Sequence, residues 1–543
     1  MGLKSKIDGK IILLVIIVAA AILRFWKLGS YPMSLSWDEA AIGYNAYSIS
    51  KYGIDEYGKK FPLLFKSFND YKLPGYIYTD AVAVKFLGLS EFSTRLPSAI
   101  FGTLSVILIY FLTKNLLSNW KLKIAIISAA LFAISPWALQ FSRAAFEANS
   151  ALTIVLLGAT LLTYGLKNKI FAILSIPVLA LSIYFYYSSR IFVPLFLICF
   201  ALIYKKEFTA KMKYYILGFI IALLISTPMI VQILSPAGAK RVSEVSIFAD
   251  RSLISDYVDA KTKYTGPVSA IFLNRRIPVA WEAMHNYSSH FSPGFLFFGD
   301  DPNPRQRPGN HGLLYIIELP LIIAGLWSLA KSKDPKPKLT IFAWLLIAPM
   351  SAAFANQTPH GLRSLLMLPA VIVISAIGIA QFSKTAKLAA ILSAIFAILF
   401  INYLYNYYII YPLKNSTNWA YGYKEAFSRT AKLESNYDRI VFTGFYWKPY
   451  IFYLFYNKID TAFYQSTGSQ EQIAKYNFGT TQWDSGGKNL SEDDIIKQQG
   501  TKTLLVISPA EYRDLKDKYR FNIQDKISDY SGKTDLFLIG NWQ

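Results

Sequence analysis

The sequence predicts an α-helical polytopic membrane protein that carries a small α/β domain at its C-terminal end. Three observations support this fold class. Apolar runs long enough to cross a bilayer recur along residues 10–409. Lysines gather in alternate connections between those runs. From about residue 412 the pattern changes to apolar strands that alternate with helical segments.

The composition agrees with a membrane protein. Of the 543 residues, 53% are hydrophobic and 17% are charged, and the mean hydropathy of +0.32 is too high for a typical soluble chain. The single cysteine, Cys199, excludes an intramolecular disulfide and a cysteine-based metal site. Aromatic residues make up 16% of the chain, which suits interfacial belts and contacts with sugar or lipid.

We predict about eleven spans, each an apolar run of about 20 residues or slightly fewer. They cover residues 10–28, 95–115, 122–141, 149–166, 170–187, 191–204, 214–233, 313–330, 339–355, 364–382 and 387–409. The run at 74–89 is also apolar, but it contains Asp80 and Lys85, so we predict an interfacial helix there. The first span has the alternative of being a cleaved signal peptide, because Ala19, Ala20 and Ala21 offer small residues for cleavage.

The lysines predict the orientation of the spans. If the N-terminus is cytoplasmic, the connections on that side carry the lysines and the outer connections carry single arginines, as the positive-inside rule requires. This placement explains much of the net charge of +22, so the charge gives no reason to expect a nucleic-acid partner. The sequence predicts an integral protein of the plasma (cytoplasmic) membrane, within the cell envelope.

Two domains follow from this topology. Residues 1–411 form the predicted transmembrane domain, and residues 412–543 form the predicted extracytoplasmic α/β domain. The large extracytoplasmic loops of the first domain are residues 29–94 and 234–312. The elements predicted in the second domain are strand 439–443, helix 491–497, strand 503–507 and strand 534–539.

Charged residues at the outer ends of the spans are the candidate site residues. A charge at membrane depth costs ~2.5–3.5 kcal/mol on insertion scales unless it is paired or hydrated, so isolated charges on one face indicate a shared site. Asp38 and Glu39 follow the first span and are the candidate catalytic acids. The candidates for binding substrate or donor phosphate are Asp70, Tyr71, Lys72, Arg143, Glu147, Tyr186, Arg190 and Arg363.

This set suits displacement at a sugar carbon with a lipid phosphate as the leaving group. A carboxylate accepts the proton of an attacking hydroxyl, and lysine or arginine neutralises the charge that grows on the phosphate. Each residue also has a structural alternative. Asp38 could be the N-cap of a following helix, Lys72 and the arginines could be interfacial anchors, and His311 and His360 could be hydrogen-bonding loop residues.

The order of these motifs resembles the GT-C class of membrane glycosyltransferases. An Asp-Glu pair follows the first span, an Asp-x-Lys-x-Pro motif precedes a juxtamembrane helix, and a Ser-Pro-Trp…Ser-Arg motif follows the third span. Within the class, the chain is similar to the protein O-mannosyltransferase and aminoarabinose (lipid A) transferase branch. The resemblance covers residues 1 to about 410 in layout and is most specific in residues 30–150.

The resemblance implies an inverting glycosyltransferase. Such an enzyme moves a hexose or pentose from a polyprenyl-phosphate donor to an acceptor hydroxyl of a protein, lipid or glycan on the extracytoplasmic face. It implies that Asp38 is the catalytic base with Glu39 beside it. It also implies that Lys72 and Arg143 bind the donor phosphate.

A divalent metal is the one cofactor that the resemblance leaves open. Some relatives hold a metal through an acid of the first loop and a histidine of a later loop. Asp70 and His311 are the matching candidates, with Asp where these relatives have Glu.

Two other functional classes compete with the transferase. A transporter or flippase for lipid-linked sugars explains many spans, but it predicts inverted repeats and charges in the middle of spans. A membrane-anchored binding or assembly protein places the function in the C-terminal domain, but about eleven spans exceed what anchoring requires. The large outer loops and their charged residues favour the transferase.

Overall fold

The computed structural model describes residues 2–68, 70–118, 120, 122–235, 247, 276–307, 309, 311–479, 502–517 and 520–542. The protein is mainly helical. Its α-helices in chain order are α1 Gly2–Phe25, α2 Trp37–Tyr52, α3 Pro74–Leu87, α4 Glu91–Leu116, α5 Lys123–Ile134, α6 Pro136–Ser142, α7 Glu147–Gly165, α8 Lys169–Leu181, α9 Ser189–Ile203, α10 Lys205–Ala210, α11 Met212–Ile233, α12 Arg276–Ser289, α13 Glu318–Ala330, α14 Pro335–Ile347, α15 Met350–Ala353, α16 Leu368–Phe382, α17 Ala386–Tyr405, α18 Tyr411–Asn415, α19 Tyr423–Leu433, α20 Pro449–Tyr456, α21 Thr461–Thr467 and α22 Pro509–Leu515.

The apolar runs predicted as spans all contain helix. Among the described residues, 5 helices are long and apolar enough to cross a membrane, and α5 with α6, bent by 54°, makes a sixth if the two form one span. Three of the long helices are α4, α7 and α11. The other two are Leu365–Phe382, which is α16 with the helical turn before it, and Ala386–Asn415, which is α17 continued through α18. The protein is therefore an integral membrane protein, and the total of about eleven spans stays a prediction.

A buried arginine stabilises the break between α5 and α6. Ser135 caps α6 and Pro136 occupies its first turn, an arrangement that starts a new helix. The Arg24 guanidinium donates to the carbonyl oxygens of Phe132 at 3.3 Å and Ala133 at 3.1 Å. These carbonyls belong to the last turn of α5, where carbonyls lose their helical partners. Arg24 is therefore a buried structural residue.

The chain forms two compact units. The first unit comprises Met1–Trp26 and Ser98–Asn406, and the second comprises Lys27–Pro97 and Tyr407–Gln543. The loop that follows the first helix thus belongs to the same unit as the C-terminal segment. Of the predicted loop 234–312, residues 236–246, 248–275, 308 and 310 lie outside the described residues.

The second unit contains the sheet that the strand pattern predicts. A short antiparallel hairpin pairs β1 Phe65–Ser67 with β2 Asp70–Lys72. Within the described part of this segment, the larger sheet has 6 strands in the order β4-β5-β3-β6-β8-β7. Its strands are β3 Arg439–Phe442, β4 Gln472–Ile473, β5 Tyr476–Phe478, β6 Thr503–Ile507, β7 Phe521–Ser528 and β8 Asp535–Trp542.

Strands β5, β3 and β6 are parallel, and β4, β8 and β7 extend the sheet in antiparallel pairs. The apolar strands β3 and β6 lie in the middle of the sheet, as continuous apolar runs require. The predicted strands at 439–443, 503–507 and 534–539 are confirmed. The predicted helix at 491–497 lies outside the described residues.

Helix α2 of the loop packs closely on the C-terminal segment. A methyl group built on Gly43 would meet the Phe455 ring at 2.5 Å, so only glycine allows this approach. The Tyr44 hydroxyl donates to the carbonyl oxygen of Ile459 at 3.1 Å, and Lys51 pairs with Asp460 at 2.5 Å. Loop and C-terminal segment therefore share one core.

A buried carboxyl group lies within that core. Glu56 is 2% exposed, and its carboxylate accepts hydrogen bonds from Asn45 at 3.0 Å and from the Tyr450 hydroxyl at 3.2 Å. Burial raises the pKa of Glu56 from its ordinary value of 4.5 to about 7, against the opposing effect of these hydrogen bonds.

The raised pKa of Glu56 predicts a pH-dependent stability. The fold favours the neutral carboxyl of Glu56. Its contribution to the free energy of unfolding is therefore complete below pH 4.5 and is lost as the pH rises through about 7. At ~1.4 kcal/mol per pKa unit, the contribution is roughly 3 kcal/mol. We expect Glu56→Gln to lose less thermal stability than the parent chain between pH 4.5 and pH 8. Glu425→Gln, at an exposed glutamate paired with Arg429, is the control and should follow the parent.

Candidate active site

The Asp38–Lys72 ion pair lies at the start of α2. Asp38 occupies the first turn of α2, and Lys72 ends β2. The Lys72 ammonium donates to Asp38 Oδ1 at 2.5 Å. The Asp38 side chain is 40% exposed and that of Lys72 is 10% exposed, so the carboxylate is accessible while the cation is mostly enclosed. The helix N-terminus also stabilises a negative charge at this position.

Ser36, rather than Asp38, caps α2. Ser36 Oγ accepts from the Glu39 backbone N–H, and Glu39 Oε2 accepts from the Ser36 backbone N–H at 3.0 Å, which completes a capping box. The alternative that Asp38 is the N-cap is therefore wrong. The Asp38 carboxylate instead projects from the first turn, where it meets Lys72.

Glu39 is buried and paired with Arg95. Its side chain is 3% exposed, that of Arg95 is 0% exposed, and Arg95 Nε donates to Glu39 Oε1 at 2.9 Å. Arg95 donates further to the backbone oxygens of Leu28, Pro32 and Ser34. Arg95 is not among the residues predicted from the sequence. An arginine at the start of a predicted span is typical of an interfacial anchor, so its position gave no sign of a buried ion pair.

The hairpin β1–β2 presents Lys72 to Asp38. Its register pairs Phe65 with Lys72 and Ser67 with Asp70. Asp70 Oδ1 accepts from the Tyr71 backbone N–H at 2.6 Å. The structure therefore brings Asp38, Asp70, Tyr71 and Lys72 onto α2 and a hairpin that belong to the same unit.

Arg143, in the first unit, stabilises the end of α1. It is 1% exposed, and its guanidinium donates to the carbonyl oxygens of Leu23 at 2.6 Å and Trp26 at 2.8 Å. Carbonyls at a helix C-terminus have no partner within the helix, and cations are favoured there. Its role in binding phosphate stays a prediction.

Three other predicted residues lie at helix ends of the first unit. Arg190 lies in the first turn of α9, where its guanidinium is 4.5 Å from the ring centre of Tyr187 and 3.3 Å from the sulfur of Met229. Tyr186 lies in the connection between α8 and α9, and Glu147 begins α7. Their roles toward substrate stay predictions.

A buried polar network holds the connection that carries Arg363. The Gly361 backbone N–H donates to Asp301 Oδ2 at 2.6 Å, and the Leu362 backbone N–H donates to Gln306 Oε1 at 2.9 Å. Burial raises the pKa of Asp301 to about 6, although the hydrogen bonds that its carboxylate accepts from the backbone N–H groups of Asn303 and Gly361 oppose the rise. The backbone that positions Arg363 is thus fixed by the side chains of Asp301 and Gln306.

Two neutral histidines complete this network. His290 Nδ1 donates to the Asn286 carbonyl oxygen at 2.7 Å, and its Nε2 accepts from the His360 backbone N–H at 3.2 Å. Burial lowers the pKa of His290 to about 4 and also lowers that of His360. Both imidazoles are therefore neutral at neutral pH and serve as hydrogen-bonding residues.

The metal suggested for Asp70 and His311 stays a prediction, because the two residues belong to different units. Within the described ranges, no group of three or more His, Cys, Asp or Glu side chains could hold a metal ion. His311 Nε2 lies 2.9 Å from Asn402 Oδ1, whereas the Asp70 carboxylate accepts a backbone hydrogen bond.

The comparison with protein families supports the resemblance stated above. Residues 72–231 match the sequence model of the dolichyl-phosphate-mannose-protein mannosyltransferases. The match begins at Lys72 and includes Arg143, Glu147, Tyr186 and Arg190. The comparison with curated proteins gives no match.

Solved structures share the fold. ArnT from Cupriavidus metallidurans in the apo state is similar with a TM-score of 0.53 and 10% identity, over 97% of both chains. ArnT bound to undecaprenyl phosphate is similar with the same TM-score, identity and coverage. The Archaeoglobus fulgidus oligosaccharyltransferase tethered with an acceptor peptide has a TM-score of 0.50 and 14% identity, over 92% of this chain and 69% of that chain. The predicted resemblance to GT-C glycosyltransferases is confirmed.

The buried ion pair of the site predicts a stability effect. Arg95→Met leaves the Glu39 carboxylate buried without its partner, and breaking such a pair costs ~3–5 kcal/mol. We expect a large fall in the unfolding midpoint, measured by tryptophan fluorescence during thermal or denaturant unfolding. Lys424→Met removes the cation of the Lys424–Glu91 pair, whose lysine side chain is 64% exposed, and should cost ~0–1 kcal/mol. Equal losses in the two variants would contradict this account.

Proposed function

We propose that this protein is an inverting membrane glycosyltransferase that transfers a sugar from a polyprenyl-phosphate donor to an acceptor hydroxyl. One observation carries the proposal: the Asp38–Lys72 pair places an accessible carboxylate beside a cation in a fold shared with ArnT over 97% of both chains. The ArnT structure with undecaprenyl phosphate and the mannosyltransferase match support a polyprenyl-phosphate donor.

The proposed reaction needs one base and one cation. The acceptor hydroxyl attacks the anomeric carbon while Asp38 accepts its proton. The new bond joins the acceptor oxygen to the sugar, and the bond between the sugar and the phosphate oxygen breaks on the opposite face. The polyprenyl phosphate leaves with the bonding electrons, and Lys72 stabilises the charge that grows on it.

The ion pair gives the donor a way to activate the base. While Lys72 contacts Asp38, its ammonium occupies one oxygen of the carboxylate. A donor phosphate at Lys72 offers the ammonium a second anion and weakens its contact with Asp38. The Asp38 carboxylate can then accept a hydrogen bond from the acceptor hydroxyl, the contact that removal of its proton requires.

The remaining residues take supporting roles in the proposal. Glu39 fixes the start of α2 and so orients its neighbour Asp38. Asp70 and Tyr71 flank Lys72 on the hairpin. The predicted contacts to donor or acceptor in the first unit are those of Arg143, Glu147, Tyr186, Arg190 and Arg363. The acceptor hydroxyl belongs to a protein, lipid or glycan.

The transporter alternative has less support. A flippase does not need a carboxylate and a cation in direct contact at a helix N-terminus, and both comparisons that match lead to transferases.

We propose further that the chain resides in the cytoplasmic membrane with its N-terminus inside. The Asp38–Lys72 site and the C-terminal sheet domain would then lie on the extracytoplasmic face.

Asp38→Asn tests the base directly. The amide keeps the shape and cannot accept the proton, so we expect the rate of sugar transfer to fall by ~10² or more, with donor binding retained. The assay follows transfer of labelled sugar from a panel of polyprenyl-phosphate hexoses and pentoses. Asp460→Asn, at an acid of the same unit that pairs with Lys51, should keep its activity. Near-normal turnover of the Asp38 variant would remove Asp38 from the mechanism.

Lys72→Met tests the phosphate contact. Loss of a hydrogen bond to a charged group, worth ~1.5–3 kcal/mol, should weaken binding of undecaprenyl phosphate by about tenfold or more. Lys66→Met is the matched control, because Lys66 lies on the same hairpin opposite Tyr71. Binding is measured by titration of the purified protein. Equal affinity in the Lys72 variant and the control would show that another cation holds the phosphate.

Sidedness has its own test. The lysine pattern predicts that a C-terminal tag is outside the cytoplasm. Protease added to sealed spheroplasts should cut this tag and spare a tag placed at the N-terminus. A C-terminal tag that is cut only after lysis would place the sheet domain in the cytoplasm and contradict the proposed orientation.

A further inference from the structure

One loop of the sheet domain contacts both elements that carry the Asp38–Lys72 pair. Residues 443–448 connect β3 to α20. They follow the carboxyl end of β3, which lies between the parallel strands β5 and β6. In open α/β sheets this edge is where ligand-binding residues gather. Residues 443–448 are called the β3–α20 loop below.

The loop holds the start of α2 through an aromatic stack. The rings of Trp447 and Trp37 are stacked, with 3.8 Å between their centres and 22° between their planes. Trp37 is the first residue of α2 and directly precedes Asp38. Stacked aromatic pairs contribute energy and a defined geometry beyond simple burial. A displacement of Trp447 therefore acts on the turn that carries Asp38.

Trp447 is itself fixed from within the sheet domain. The Tyr423 hydroxyl accepts from the Trp447 backbone N–H at 3.2 Å and donates to the Trp447 carbonyl oxygen at 3.0 Å. Tyr423 is 1% exposed and stacks on Phe452 with 4.4 Å between ring centres. The loop backbone at Trp447 is thus anchored in the domain core.

The next residue contacts the hairpin that carries Lys72. The Lys448 ammonium lies 5.2 Å from the ring centre of Phe68, within the range of a cation–π contact. Phe68 lies in the turn between β1 and β2 with a φ of +59°. The Phe68 ring also meets the Tyr450 ring edge to face, with 6.1 Å between centres. Lys448 and Tyr450 together hold the turn of the hairpin.

We propose that Trp447 and Lys448 are positioning residues for the glycosyl transfer, which set the distance between Asp38 and Lys72. Trp447 fixes the helix that carries the base, and Lys448 fixes the hairpin that carries the cation. Because a misplacement of about 1 Å can reduce a rate by 10²-fold, these contacts control turnover without touching the substrate. The sheet domain is then a part of the active site rather than an accessory. This inference rests on the proposed function.

Variants of Trp447 provide the main test, in the full chain with the same transfer assay. Trp447→Ala should lower kcat by about tenfold to 10²-fold while the KM for donor changes little, because Lys72 remains to bind phosphate. Trp447→Phe retains an aromatic ring and should recover most of the activity. Phe445→Ala is the matched control, because Phe445 lies in the same loop, is 37% exposed and meets its neighbour Tyr446 edge to face. It should retain the parent kcat.

Lys448→Met provides an independent test that keeps the side-chain length. It removes the cation–π contact with Phe68, so kcat should fall at least several-fold with little change in undecaprenyl phosphate affinity. Unfolding midpoints are measured for all variants. If Trp447→Ala does not fold, the kcat values of Trp447→Phe and Lys448→Met decide whether the loop has the positioning role.

The outcomes separate this inference from the proposed function. An inactive Asp38→Asn variant with parent-like kcat in Trp447→Ala and Lys448→Met would overturn the positioning role and leave the transferase intact. An active Asp38→Asn variant would overturn the base assignment itself. A rise in donor KM without a fall in kcat would make Lys448 a substrate-binding residue, and the positioning role would be wrong.

Discussion

The buried ion pair between Glu39 and Arg95 is the interaction on which the arrangement around Asp38 depends. Glu39 comes from the first turn of α2 and Arg95 from the first turns of α4. The pair therefore joins the two ends of the segment that contains α2, the hairpin and α3. Since Arg95 also binds backbone oxygens before α2, one guanidinium fixes where that helix begins. A fixed helix start holds the Asp38 carboxylate at the position where Lys72 donates to it.

The neighbouring acids Asp38 and Glu39 differ in their surroundings. Successive residues of a helix point about 100° apart, so one side chain faces the core when the next faces outward. The Glu39 side chain is 3% exposed and that of Asp38 is 40% exposed. A buried carboxylate that already accepts from a guanidinium and a backbone N–H has a structural role. The accessible carboxylate is the one that can exchange a proton with a substrate. Environment, rather than residue type, separates the two roles.

Local patterns predicted the elements and part of the site. The apolar strands β3 and β6 and the helices of the spans follow from continuous apolar runs, because a strand or a span that is buried on all sides is apolar along its whole length. Asp38 and Lys72 were each predicted from the order of motifs in a resembling family, whereas their ion pair, which joins residues 34 positions apart, was found only in the structure. The structural alternative for Asp38 placed the start of a helix near the correct position. It named the wrong N-cap, since Ser36 and Glu39 form the capping box.

The residues that sequence reasoning missed depend on distant partners. Glu56 and Tyr450 are 394 positions apart, and Trp37 stacks on Trp447. Periodicity shows which face of an element is buried but not which element covers it, so no local signal distinguished these residues from ordinary loop residues. Most of these contacts join the first loop to the C-terminal segment, and this explains why the two form one compact unit. Because the C-terminal segment packs directly on α2 through Phe455 and Trp447, it constrains the geometry of Asp38.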